Sequence, residues 1–172
     1  YLQDWLLKAG MRSDEQIADV HTEVFAHEFQ LPHDNARAML IYTIFQEVAT
    51  RIHYTRLADV VRREGGCPAL EKVLSLVAVD EAAHADFFRR VFETYLEFDR
   101  HEALGALYEV IRNFQMPAVD LLFDGKQRSA RVKELNIFDE SIFYGTVVNP
   151  ILDKLGVTKQ EMKVYARRER AN

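Results

Sequence analysis

The sequence predicts an all-α helical bundle, and three observations carry that expectation. Apolar residues recur at spacings of three and four through two long stretches, residues 36–64 and 68–98, as they do along one face of a helix. No stretch shows the apolar–polar alternation of a β-hairpin, and the seven glycines and four prolines fall mostly between the periodic stretches. Finally, Glu47 and a Glu-x-x-His unit, Glu81 and His84, sit on these apolar faces. Glu-x-x-His places a carboxylate and an imidazole on one side of a helix.

The elements follow in order. Ser13-Asp14-Glu15-Gln16 has the form of a capping box and opens a helix reaching about Phe29. Leu31-Pro32-His33-Asp34-Asn35 reads as a loop. The long helix 36–64 ends at Gly65-Gly66, because glycine takes the left-handed conformation that closes helices. Pro68 starts the next helix, which runs to about Phe98. Its expected buried stripe is Leu70, Leu74, Val77, Glu81, His84, Phe88, Val91 and Tyr95. Asp99-Arg100-His101 makes a turn, residues 102–115 are helical, and Pro117 stops them. Asp124-Gly125 is a turn. Residues 138–155 have helical spacing interrupted by Gly145 and Pro150, and Thr158-Lys159-Gln160-Glu161 is a second capping box opening a basic terminal helix. The 172 residues are expected to form a single domain, 1–172.

Bulk properties narrow the function. A formal net charge of −5 gives no basic footprint for nucleic acid. No apolar run approaches the ~18 residues that a membrane helix needs. The single cysteine, Cys67, excludes an internal disulfide framework and fits a reducing compartment, so a cytoplasmic location is expected. The chain begins at Tyr1 and not at Met, which points to a chain that has been processed, cut or recorded only in part.

Glu81 and His84 fall among Leu74, Val77 and Phe88 on the face expected to be buried. Burying an ionised carboxylate without a partner costs several kcal/mol, and a metal removes that cost. The competing reading puts both residues at the edge of the stripe, reaching solvent. Glu47 shares a face with Leu40, Thr43, Thr50 and Tyr54; its competing role is a surface ion pair with Arg51, four residues on. Glu23 and His27 are also four apart but read as surface or structural residues, and His21, His33, His53 and His101 have no comparable setting. Asp80 points to a neighbouring face, where its carboxylate suits the free ring N–H of a metal-bound histidine; otherwise it is a solvated charge. Cys67 has no histidine or second cysteine near it in sequence, so catalysis there is not expected.

Taken together, these motifs resemble the soluble acyl-(acyl-carrier-protein) desaturases. Tyr42-Thr43-Ile44-Phe45-Gln46-Glu47-Val48-Ala49-Thr50 is similar to that family's Phe-Gln-Glu-Arg-Ala-Thr helix. Val79-Asp80-Glu81-Ala82-Ala83-His84 is similar to its Asp-Glu-x-x-His helix, and Phe114-Gln115-Met116-Pro117 with Phe123-Asp124-Gly125 to the Met-Pro segment that follows. The resemblance covers roughly residues 1–125. Val48 departs from it, standing where the family often has arginine.

The resemblance implies a ferritin-like fold seen without its first helices, and desaturation of a fatty acyl chain carried on acyl carrier protein, using O2 and two iron ions cycling between Fe2+ and Fe3+. Glu47, Glu81 and His84 would be iron ligands, and Thr50 the hydroxyl beside the oxygen-binding face. Asp80 would be the buried acceptor for a histidine of another helix. The family's first lone Glu and first Glu-Glu-x-x-His would lie upstream of Tyr1. A ferredoxin-type electron donor and homodimerisation are implied as well, and manganese also fits the ligand types. The arginines of residues 51–63 and the Arg167-Arg168-Glu169-Arg170 tail are the candidate surface for an acidic carrier. Two rivals stand beside this reading: another di-metal carboxylate oxidase or oxygenase of the same fold, and a metal-free helical oligomerisation module. Two copies of the half bundle would also supply four glutamates and two histidines between chains.

Overall fold

A computed structural model describes residues 2–27, 33–116 and 124–169. Among them every regular element is helical: α1 (Leu2–Lys8), α2 (Asp14–Phe25), α3 (Ala36–Arg63), α4 (Pro68–Phe98), α5 (Arg100–Arg112), α6 (Gly125–Glu134), α7 (Glu140–Ile142), a π-helical segment (Phe143–Val148), α8 (Asn149–Lys154) and α9 (Lys159–Glu169). No helix among the described residues is long and apolar enough to cross a membrane. Tyr1, Phe29, Leu31, Pro32, Pro117, Phe123 and Arg170, and the side chains of Arg168 and Glu169, lie outside what is described.

The caps form where the sequence placed them. Ser13 accepts from the Gln16 N–H while the Gln16 side chain accepts from the Ser13 N–H. Thr158 and Glu161 make the same reciprocal pair ahead of α9. The α3 C-terminus closes as a Schellman motif: the Gly66 N–H bonds the Val61 carbonyl at 2.9 Å and the Gly65 N–H that of Arg62 at 3.3 Å. Gly65 has φ +66°, and a Cβ at Gly66 would lie 2.7 Å from the Val61 carbonyl oxygen, so both glycines are required by the turn. Pro68 then fills the first turn of α4, where an N–H is not needed. The result is a tight antiparallel hairpin of two long helices.

Four expectations change. The α2 helix ends at Phe25, short of Phe29. The turn at residues 99–101 shrinks to one residue, since the Asp99 carboxylate caps α5 by accepting from the Glu102 N–H at 3.1 Å. Helices α1 and α6 were not foreseen; α6, GKQRSARVKE, has almost no apolar stripe to read. Lastly, the helix 138–155 continues through its interruptions by widening. Pro150 has no N–H and its ring would crowd the preceding turn; the π segment makes room, with the Asn149 N–H reaching back five residues to the Tyr144 carbonyl.

The core sits at the end of the hairpin made by the start of α3 and the end of α4. There Ile41, Phe45, Phe92, Leu107, Val110 and Val147 are all fully buried. Phe114 and Phe143 stack at 4.5 Å between ring centres. The Tyr42 hydroxyl donates to the Gln115 carbonyl at 3.0 Å, and burial pushes its pKa up to about 12. At the opposite end the Trp5 indole N–H meets the Cys67 sulfur at 3.3 Å and ties α1 to the start of α4.

The expected buried stripe of α4 requires correction. The residues buried on α4 are Leu74, Ala85, Phe92 and Leu96, a line rotated partly around the helix from the one expected. Only Leu74 belongs to both. Leu70, Val77, Glu81, Phe88 and Tyr95 are half-buried, and His84 and Val91 are exposed. The expected stripe flanks the α3 contact and borders the open side of the hairpin. Phe92→Ala should destabilise the chain by about 3–5 kcal/mol, while Phe98→Ala, at a side chain 89% exposed, should change stability by less than about 0.5 kcal/mol. Urea unfolding of both variants checks this.

Candidate metal centre

Antiparallel packing brings the middle of α3 against the middle of α4. Glu47, on the α3 flank with Leu40, Thr43, Thr50 and Tyr54, meets Glu81 and His84 of α4. His84 Nδ1 lies 3.4 Å from Glu47 Oε2 and 3.4 Å from Glu81 Oε2. One potential ligand atom from each of the three residues lies within 4.8 Å of the others. The carboxylates are sheltered, at 14% and 17% exposure, whereas His84 is 57% exposed and closes the open side.

The electrostatics are those of a site with too much negative charge in too little water. Burial, then hydrogen bonding and repulsion from Glu47, push the Glu81 carboxyl up to about 7. The His84 imidazole is raised, chiefly by its hydrogen bond to Glu81. Tyr54, two turns beyond Glu47, has its phenol raised by burial and then by the charges of Glu81 and Glu47. No role was assigned to Tyr54 from sequence; its i+7 spacing from Glu47 was the available signal. Two hard carboxylates and one borderline imidazole suit a divalent transition metal, so the donor set fits such an ion, with coordination positions left over.

The remaining candidates divide. The Thr50 hydroxyl, one turn after Glu47, donates to the Gln46 and Glu47 carbonyls, each at 3.0 Å. Asp80 is exposed on α4, not buried, and no histidine among the described residues accompanies it; it lies on the side of α4 turned away from α3. Glu47 faces His84 and does not form the ion pair considered with Arg51. His27 is exposed, two residues past the end of α2, and its Nδ1 faces the Glu23 carbonyl of that helix at 2.9 Å. His53 stacks on Phe138 with ring centres 4.3 Å apart and Nδ1 at 2.8 Å from the Ala49 carbonyl; burial lowers its pKa, so it packs as a neutral ring. His53 borders an apolar cleft of about 540 Å³ walled by Phe114, Met116, Phe138, Phe143 and Tyr144, on a different face of α3, whose lining includes none of the three cluster residues. The cluster is the better candidate metal centre because two carboxylates and an imidazole converge there; the cleft's polar lining, His53, Arg112, Arg128, Ser129, Asp139 and Glu140, forms no such group.

The raised Glu81 carboxyl sets a pH dependence. Its folded pKa exceeds its unfolded value, so without metal the folded chain loses stability as pH rises from about 4.5 through about 7. A metal displaces that proton, so affinity should climb across the same window. Calorimetric titration with manganese(II) should give tighter binding at pH 8 than at pH 5.5. Glu47→Gln should lower the Glu81 pKa, read by carboxyl-carbon NMR; an unmoved value would show that Glu47 exerts no repulsion.

The family described as Fatty acid desaturase matches residues 1–171. The chain is 25% identical over 122 residues to a Mycobacterium tuberculosis protein named "Putative acyl-(acyl-carrier-protein) desaturase DesA1", covering 71% of this chain and 35% of that one. It is 33% identical over 87 residues to stearoyl-(acyl-carrier-protein) 9-desaturase 6, chloroplastic, of Arabidopsis thaliana, covering 50% and 22%. To acyl-(acyl-carrier-protein) desaturase 7, chloroplastic, of Oryza sativa subsp. japonica it is 39% identical over 87 residues, covering 50% and 21%. The chain thus spans between a fifth and about a third of the length of these relatives. With its all-helical fold, its Glu–Glu–His cluster and a match along nearly its whole length, the chain belongs to the fatty acid desaturase family.

Proposed function

We propose that this chain carries half of the di-iron centre of an acyl-(acyl-carrier-protein) desaturase, an enzyme that introduces a double bond into a carrier-bound fatty acyl chain. The observation that carries the reading is the convergence of Glu47, Glu81 and His84 within 4.8 Å in a member of the desaturase family. Relatives named as stearoyl- and palmitoyl-carrier desaturases support the substrate class. No observation favours the other di-metal oxidase or the metal-free module.

Glu47, Glu81 and His84 would hold iron from one side, the remaining ligands coming from outside these 172 residues. Iron, when bound, supplies the reduction of O2 and the oxidising power to remove two hydrogens from adjacent saturated carbons. The overall change takes one O2, two electrons from a ferredoxin-type donor and two protons, and releases two waters with the alkene. The residues of this chain position and shelter that chemistry. The α3–α4 packing withdraws both carboxylates from water, which strengthens their hold on a cation. Thr50 keeps a hydroxyl proton on Oγ1, parked on two main-chain carbonyls beside Glu47, from which rotation of the side chain turns it toward the ligand face.

The carrier is acidic, so a basic mouth is part of the proposal. Arg62 is committed to Glu71 and Asp59 at 2.7 and 2.8 Å, and Arg56 donates to the Asn136 carbonyl at 2.8 Å. The exposed Arg51, Arg63 and Arg167 are the remaining contributors. A cytoplasmic location and the electron donor belong to the same proposal.

The test is turnover of stearoyl- or palmitoyl-carrier substrate by the full-length protein with iron, O2 and reduced ferredoxin. Unsaturated product is expected; its absence from an iron-loaded protein rejects the reading. Thr50→Val should lower kcat by about 10²-fold, the scale of a lost proton donor, with metal content unchanged. Raised salt should increase KM for the carrier substrate by screening.

A further inference from the structure

We propose that His53 is a positioning residue for the carrier-bound substrate: its Nε2 accepts a hydrogen bond from an amide N–H of the pantetheine arm that joins the acyl thioester to its carrier, and the apolar cleft beside it holds that arm. The inference rests on the carrier-desaturase reading above and adds to it a residue and a place.

The imidazole is fixed by its surroundings. Its ring stacks on Phe138, with ring centres 4.3 Å apart and planes 28° from parallel. Nδ1 lies 2.8 Å from the Ala49 carbonyl, one turn back on α3. A carbonyl only accepts, so Nδ1 carries the proton, and Nε2, the far nitrogen of the ring, is a bare acceptor. Burial disfavours the imidazolium, which keeps the ring in this neutral tautomer. No group among the described residues donates to Nε2, and the ring lines the cleft of about 540 Å³. An acceptor left unanswered in apolar surroundings costs free energy that a donor on a ligand recovers.

The walls describe the rest of that ligand. Phe114, Met116, Phe138, Phe143 and Tyr144 make the cleft apolar. Phe143 and Tyr144 come from the π segment, a rare geometry that recurs at functional sites. The charged groups of the lining balance, Arg112 and Arg128 against Asp139 and Glu140. Arg128 is also held by Asp124 at 2.6 Å, and Asp139 accepts from the Ile142 N–H at 2.7 Å. The cleft therefore suits a neutral ligand with an apolar body and an N–H or O–H donor. An alkyl chain has no donor for Nε2, and a free carboxylate has no donor and adds a charge. Between its thioester and its phosphate, the pantetheine arm is neutral and carries amide N–H groups along an aliphatic backbone. It is also the part of the substrate that stays off the metals, and the cleft lining includes none of Glu47, Glu81 and His84. A bond to the arm sets how far the thioester enters, and so which carbons of the chain reach the metals.

The experiment is calorimetric binding to the full-length, iron-loaded protein without O2. The probes are S-octanoyl pantetheine and S-ethyl thiooctanoate, which share the chain and the thioester but not the amides. The pantetheine thioester is expected to bind more tightly. His53→Phe keeps a ring on Phe138 and removes the acceptor. It should weaken the pantetheine thioester by about 3–10-fold, the scale of one neutral hydrogen bond, and leave the ethyl thioester unchanged. His53→Gln, whose amide oxygen reaches the place of Nε2, should recover most of the loss. KM for the carrier substrate should follow the same order across the three proteins. A crystal structure with the pantetheine thioester should put an amide nitrogen within about 3.2 Å of Nε2, a readout that needs no variant. Equal losses for both probes would reduce His53 to packing; that result, no loss at all, or an arm bound away from Nε2 overturns the proposal. Desaturation by the His53→Phe protein with an unaltered KM removes this inference alone. A protein that binds the arm at His53 yet forms no unsaturated product removes the desaturation reading alone.

Discussion

The interaction on which the rest depends is the antiparallel contact of α3 with α4. Its register is fixed at the connection. The Schellman closure through Gly65 and Gly66 and the immediate restart at Pro68 leave almost no slack between the two helices. With the hinge fixed, Glu47 is carried to the level of Glu81 and His84, well over thirty residues away in sequence. A residue inserted in this turn would rotate or slide one helix against the other and separate the three donors. The two glycines therefore act on the site from a distance, through geometry alone.

That contact is asymmetric in stability. One end of the hairpin is packed by α5, the π segment and α8 around fully buried Phe45, Phe92, Leu107 and Val147. The middle carries two sheltered carboxylates, one of them with its pKa pushed up to about 7. Converging charges oppose packing, and the apolar end offsets them. Such a local conflict is the expected signature of a functional site in an otherwise consistent fold. The π segment belongs to the packed end. Its wider turn admits Pro150 into a helix that still buries Val147, Val148 and Ile151 against α3.

Much of this was legible in the sequence because the signals were local. The capping boxes at Ser13 and Thr158, the Gly65-Gly66 stop and the Pro68 start each depend on a few adjacent residues, and each formed. The meeting of Glu47 with Glu81 and His84 was legible at the level of faces: periodicity places each on a flank, and the short connection makes the flanks meet. What could not be read was tertiary. Helix α6 has no apolar face, so nothing in its pattern separates helix from loop. The resemblance implied a buried Asp80, yet among the described elements it is exposed, having no helix beside it. His53 stacks on Phe138, a partner 85 positions away in the chain.

The misplaced stripe of α4 is the most instructive difference. Periodicity reports how wide the apolar surface of a helix is, but not how it is divided among neighbours. The α4 helix is apolar over more than one face. Leu74, Ala85, Phe92 and Leu96 go to α3 and the core. Val77, Phe88 and Val91 flank the metal cluster on the open side. A helix serving a single neighbour has no use for the second set, and water penalises its exposure. The donors sit between the two sets, where a carboxylate is dry enough to bind a cation strongly and open enough to admit one. Glu81 is therefore half-buried because it lies on the border between the face that packs on α3 and the more open flank that carries Val77, Phe88 and Val91.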